Sequence, residues 1–169
     1  MHISEYIRKE MTGMRQMVDM TMKGMTAELF NWVPTGTANT ISATFIHFMN
    51  VEDNFIHKIV QDKPSVWESG GWSVKTGVQK PPRIGEDWSE FKHRQVAIQP
   101  LLEYAAAVWA DTDKYLATLK PEDLDRKVKF AGGERSVAEI LLLSASQSLS
   151  HTGEIAALKG VQGAKGLPI

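Results

Sequence analysis

Cysteine is absent from the 169 residues. That removes disulfides, thiolate metal sites and a cysteine nucleophile, and it is compatible with a reducing cytoplasm, the compartment expected for this chain. A basic excess is missing too. The formal net charge is −1, so nothing in the charge balance draws the chain to nucleic-acid phosphates or to an anionic membrane surface. No apolar run approaches the roughly 20 residues that span a bilayer. The opening MHISEYIRKEMTGMR carries charges where a secretory leader would be apolar. There is no repeat of solenoid period, no phosphate-binding glycine motif, no H-E-x-x-H and no G-x-S-x-G elbow for any of the serines. What remains is ordinary globular usage, 43% hydrophobic and 23% charged, at a length that suits one domain over residues 1–169.

Four segments carry helical periodicity. The first spans Ser4 to Lys23, with Ser4 as N-cap, Gly24 at its end and Ile7, Met11, Met14 and Val18 on one face. Seven of the eight methionines fall by Met25, which suits an adaptable core or interface face. Pro34 and Gly36 make a turn. The second helix starts near Asn39 or Thr40 and runs to Asp62, with Ile41, Phe45, Phe48, Phe55 and Ile59 inward and Glu52 in mid-stripe. His57 lies opposite that stripe and is expected at the surface, as is His93 among charges. Residues 64–87 read as a long irregular connection whose Trp67 and Trp72 either cover the core or form a lid over a pocket mouth. A short helix over Ser89–Arg94 precedes a long one over Gln99–Leu119, with Pro100 tolerated in its first turn. Pro121–Leu124 reads as one turn, and Lys127–Glu134 as an extended stretch with a tight turn. Ser136 and Glu139 form a capping box that opens the last helix, which ends near Lys159-Gly160. The fold class is all-α, and four amphipathic helices with long connections favour a four-helix bundle.

The last helix interrupts its own apolar stripe. Between Val137, Ile140 and Leu141 on one side and Ile155 and Leu158 on the other stand Ser144, Gln147, Ser148 and His151. A buried polar group costs about 1–3 kcal/mol unless it is partnered, so four on one face require hydrogen bonds, water or a ligand. Gln147 and His151, spaced i, i+4, point to one place. Two ligating groups at that spacing, joined by a third from a neighbouring helix, can build a metal site inside a bundle. His47 and Glu52 are the candidates on the second helix. A hydrated polar pocket without metal and ordinary satisfied core polars remain open alternatives.

Three stretches resemble the DinB-like superfamily of metalloenzyme-like proteins. They are AELFNWVPTGTANTISATFIHFMNVE over 27–52, SVAEILLLSASQSLSHTGEIAALKG over 136–160, and the tail Gly163-Ala164-Lys165-Gly166-Leu167-Pro168. The resemblance implies a four-helix bundle in up-down-down-up order, often a homodimer, holding zinc or nickel on three histidines. Carried over, His47 and His151 match two of the three ligands. Gln147 stands where the family has the third, which implies weakened or absent metal binding. Glu52, Ser144 and Ser148 would line the pocket. Relatives include thiol-dependent transferases and isomerases, which implies a small-molecule substrate or a low-molecular-weight thiol cofactor entering near the 64–87 connection. The leading expectation is a divalent-metal-dependent enzyme, possible activities being S-transfer or isomerisation. The alternative is a non-catalytic relative with a polar small-molecule pocket. A third reading makes the methionine-rich first helix a partner face.

Overall fold

A computed structural model describes residues 3–167. His2 and Pro168, the latter part of the family-like tail, lie outside the described residues. Helix α1 spans Ile3–Met22 and α2 spans Ala27–Asn31, capped by Thr26. Helix α3 spans Ile41–Asp53 and runs directly into a π-helical segment, Asn54–Val60. The connection that follows contains short helices α4 (Val66–Ser69) and α5 (Trp72–Thr76), then α6 (Ser89–Lys92). Helix α7 spans Ile98–Thr118, a 3-10 turn covers Pro121–Asp125, strands β1 (Lys127–Phe130) and β2 (Gly133–Ser136) form a hairpin, and α8 spans Val137–Val161.

Most boundaries follow local chemistry. Thr40 caps α3 by accepting from the Ala43 amide at 3.2 Å. Ser136 and Glu139 close the expected box at the start of α8. The hairpin turns at Ala131 and Gly132, both with positive φ (49° and 80°), the backbone that two-residue hairpin loops favour. Two expectations need correction. Ser4 is not a cap, because α1 already begins at Ile3. The 64–87 connection is not wholly irregular: Ser65 makes a capping box with Glu68 and starts α4.

The four long helices pack on one another in definable directions. Thr44 meets Glu154 and His47 meets His151, while Phe55 and Ile56, further along α3 and its extension, share a core with Ile140 and Leu141. So α3 and α8 run oppositely. Tyr104 reaches Asn50 and Asp53, and Asp111 reaches His57, so α7 runs alongside α3. Met11 and Met14 share a hollow with Leu141 and Ala145, and Lys159 donates to the carbonyls of Thr21 and Lys23. Thus α1 runs alongside α8, and Lys159 satisfies carbonyls that the end of α1 leaves open. Among the described residues no helix is long and apolar enough to cross a membrane.

Helix α3 is buried on every side: all thirteen of its residues are. His57, in the π-helical segment that follows, is buried as well, at 0% relative exposure, which overturns its surface placement. The face opposite the apolar stripe meets α7 and α4 instead of water. There Asp53 accepts from the amides of Val66 and Trp67, from the Tyr104 hydroxyl and from His57 Nδ1, each at 2.8 Å. His57 Nε2 lies 3.1 Å from Asp111 Oδ2. Burial works to lower the His57 pKa, but the hydrogen bond and charge of Asp53, with the charge of Asp111, outweigh it and raise the value above the ordinary one. Arg15, on α1, is buried against Trp109 and paired with Glu52 at 2.9 Å and with Asp113. His93 is exposed as expected.

Removing the Asp53 carboxylate takes the acceptor from the Val66 and Trp67 amides and the Tyr104 hydroxyl and the counter-charge from His57. Asp53→Ala should cost about 3–5 kcal/mol of unfolding free energy in urea titrations. Because the folded-state pKa of His57 is raised, its stabilisation is fully present below the unfolded value, about 6.5, and is lost as pH rises through the folded value. The stability difference between wild type and His57→Gln should therefore shrink as pH is raised from 6 to 9. A difference that grows over that range would refute the cationic assignment.

Candidate functional site

The site forms where α3 faces α8, with the 79–88 segment laid across it. His47 sits on the buried α3 at 2% exposure. Its Nδ1 is 2.8 Å from the carbonyl of Pro82. A carbonyl only accepts, so Nδ1 carries the proton and Nε2 keeps a free lone pair. Burial lowers the His47 pKa first, and His151 pushes the same way, against the Pro82 carbonyl and the charge of Glu154. The ring is thus held neutral to lower pH than an ordinary imidazole, the state in which it binds metal.

His151 stands across the gap with its ring centroid 5.1 Å from that of His47, nearly perpendicular. Its Nδ1 lies 2.9 Å from Glu154 Oε2 and its Nε2 lies 3.2 Å from Gln147 Oε1. The other oxygen of Glu154 accepts from Thr44 Oγ1 at 3.3 Å. The hydrogen bond from His151, above all, holds the Glu154 carboxyl below its ordinary range, despite partial burial. Trp88 covers the His47 ring at 4.3 Å between centroids, and its indole N–H donates to the Arg83 carbonyl at 2.9 Å. Phe48 stacks on His151 at 6.3 Å.

The sequence-derived set is therefore divided. His47, Gln147 and His151 come together. Glu52 does not join them: its carboxylate is taken by Arg15. Ser144 and Ser148 are buried on the inner face of α8. The Ser144 hydroxyl has no hydrogen-bond partner among the described residues, and the Ser148 carbonyl accepts from Thr152 at 2.6 Å. Trp67 and Trp72 pack on Tyr104 at 5.0 and 5.6 Å, so they belong to the core, and the tryptophan that covers His47 is Trp88. Sequence reasoning missed Trp88, Glu154, Thr44 and the Pro82 carbonyl. Spacing offers a signal for two of them, since Glu154 is i+3 from His151 and Thr44 is i−3 from His47, each on its histidine's side of a helix. Nothing local marks the Pro82 carbonyl or Trp88, because a connection brings them back.

Chemically, the arrangement is two imidazoles with Nδ1 anchored, one on a backbone carbonyl and one on a carboxylate. Metal-binding histidines are commonly oriented that way. Gln147 adds an amide oxygen, a weaker donor than a third imidazole. No three His, Asp or Glu side chains among the described residues form a metal-holding group.

Comparison with known proteins agrees with this architecture. A solved structure, the crystal structure of a conserved protein from Enterococcus faecalis, superposes with a TM-score of 0.80 at 21% identity. It covers 96% of this chain and 99% of that one, a likeness of fold. No curated protein matches. The family model of the DinB superfamily matches residues 10–155, a span that holds every residue of the site described above, and on that match the chain belongs to the DinB superfamily.

Proposed function

We propose that this chain is a divalent-metal-dependent enzyme acting on a small molecule, built as a four-helix bundle in up-down-down-up order. The helix directions described above support the bundle. One observation carries the site: His47 and His151 face each other across α3 and α8 with both Nδ1 atoms already anchored, by Pro82 and Glu154. The Nε2 of His47 is then free to bind zinc or nickel, and the Nε2 of His151 becomes a ligand when an ion displaces its hydrogen bond to the Gln147 oxygen, which would serve as a weak third. A bound ion would lower the pKa of a coordinated water or thiol. Glu154 orients His151 and offsets positive charge, and Thr44 orients Glu154. Trp88 keeps water from the His47 side. His151, with its side chain 19% exposed, marks where a substrate or thiol cofactor reaches the centre. A cytoplasmic homodimer is the expected form of the protein. Tyr6, Leu142 and Leu149, all more than 40% exposed beside the α1–α8 hollow, supply an apolar surface for a second copy.

A second reading has one observation in its favour. Gln147 already engages His151 at 3.2 Å, so the pocket can satisfy itself without an ion and serve as a non-catalytic small-molecule site.

Metal affinity separates the two. Titration of chelator-treated protein with zinc should show one site per chain, lost in His47→Ala and in His151→Ala. Glu154→Gln should weaken it by about 10–100-fold. Gln147→His should tighten binding by about tenfold or more. Wild-type protein that binds no zinc while Gln147→His does would leave the second reading standing.

A further inference from the structure

The segment that anchors His47 also carries a cation, Arg83, that makes no ion pair among the described residues, although its charge reaches Glu86. Arg83 directly follows Pro82, whose carbonyl holds His47, and its own carbonyl holds Trp88, which covers His47. Its backbone is therefore fixed to the histidine centre at two points. Its side chain borders two adjoining hollows of about 260 and 390 Å³, and Asn50 and Asn54 line both. The larger of the two reaches the lower end of the range for small-molecule sites. The floor is the continuation of the His47 face, since Asn54, two turns on, lies within about 20° of His47 around the helix at α-helical spacing. Asn54 is also where the helix widens into its π segment, a feature frequent at functional sites.

The charges at this place are unequal. Lys58 pairs with Glu68 and Lys80 with Glu86, both at 2.6 Å. Arg83 makes no ion pair among the described residues. Besides Arg83, Asn50, Asn54 and the paired Lys58, the larger hollow is walled by apolar residues, Val51, Phe55, Ile59 and Ile84 among them. A guanidinium fork matches a carboxylate in two parallel hydrogen bonds, and an apolar wall beside it suits a hydrocarbon tail.

We propose that the hollow at Arg83 binds a small monocarboxylic acid with an apolar tail, the carboxylate on Arg83 and the tail along Val51, Phe55 and Ile59. On the reading of the histidine centre given above, this is where the substrate is recognised. The subsite itself does not need the ion, so the two can fail separately.

The test is a titration of metal-free, nitrogen-15-labelled protein with sodium hexanoate, following the side-chain amides of Asn50 and Asn54. Hexanamide keeps the tail without the charge, and inorganic phosphate keeps a charge without the tail. Saturable shifts are expected with hexanoate, with both controls about tenfold weaker. Arg83→Gln should weaken hexanoate by about tenfold or more and Arg83→Lys by less. Arg83 is exposed, so its substitution should leave the rest of the spectrum in place. Absence of shifts, shifts indifferent to Arg83→Gln, or phosphate matching hexanoate would each overturn the subsite. Hexanoate binding through Arg83 in a protein that takes up no zinc would keep the subsite and discard the metal reading. Zinc binding without hexanoate binding would do the reverse.

Discussion

Asp53 is the junction on which the arrangement of this protein depends. Its carboxylate is fully buried and takes hydrogen bonds from α4, from α7 and from His57 one turn further along its own chain. A buried anion is tolerable only when so surrounded. Meeting that requirement fixes three elements at once. It seats the connection after α3, it sets α7 beside α3, and it draws His57 inward as the counter-charge. The connection seated this way then returns over α3, where Pro82 and Trp88 reach His47.

The histidine centre shows the same economy of polar atoms. His47 uses one nitrogen for position and keeps the other for chemistry, whereas His151 engages Glu154 through Nδ1 and Gln147 through Nε2. His47 is positioned by a backbone carbonyl and His151 by a carboxylate, so the two rings sit in unlike electrostatic surroundings. The neutral His47 is the better buried, while His151 shares its surroundings with Glu154 and opens toward solvent. Glu52 cannot supplement this donor set, since releasing it would leave Arg15 buried without its partner on α3.

Much of this was legible in the chain. The capping box at Ser136, the i, i+4 pair of Gln147 and His151 and the polar break in an apolar stripe each follow from local spacing, and each stands in the structure. His57 and Glu52 show where such reading ends. Angular counting assumes that a helix has one wet face, and α3 has none. It also assumes a constant turn, while the helix widens beyond Asp53. Glu52 lies on the inward stripe as counted, but an inward carboxylate goes to whichever cation is nearest, and Arg15 comes from a helix that no spacing rule connects to it. The roles of Pro82 and Trp88 depend on how a long connection returns, which only tertiary packing decides.

The separation of the paired groups along the chain bears on how the protein is made. Thr44 and Glu154 are 110 residues apart, and Lys159 closes the end of α1 from 138 residues away. During synthesis α3 is complete long before α8 exists, so its apolar faces and His47 wait without their cover while most of the chain is still emerging. Contacts this distant in sequence form late and slow folding, and the nascent chain exposes a sticky central helix meanwhile. Helix α8, the last of the described helices to leave the ribosome, is thus both the lid of the core and the second half of the site. A chain truncated before it would lack the donor groups of α8 and would present its most apolar helix to the cell.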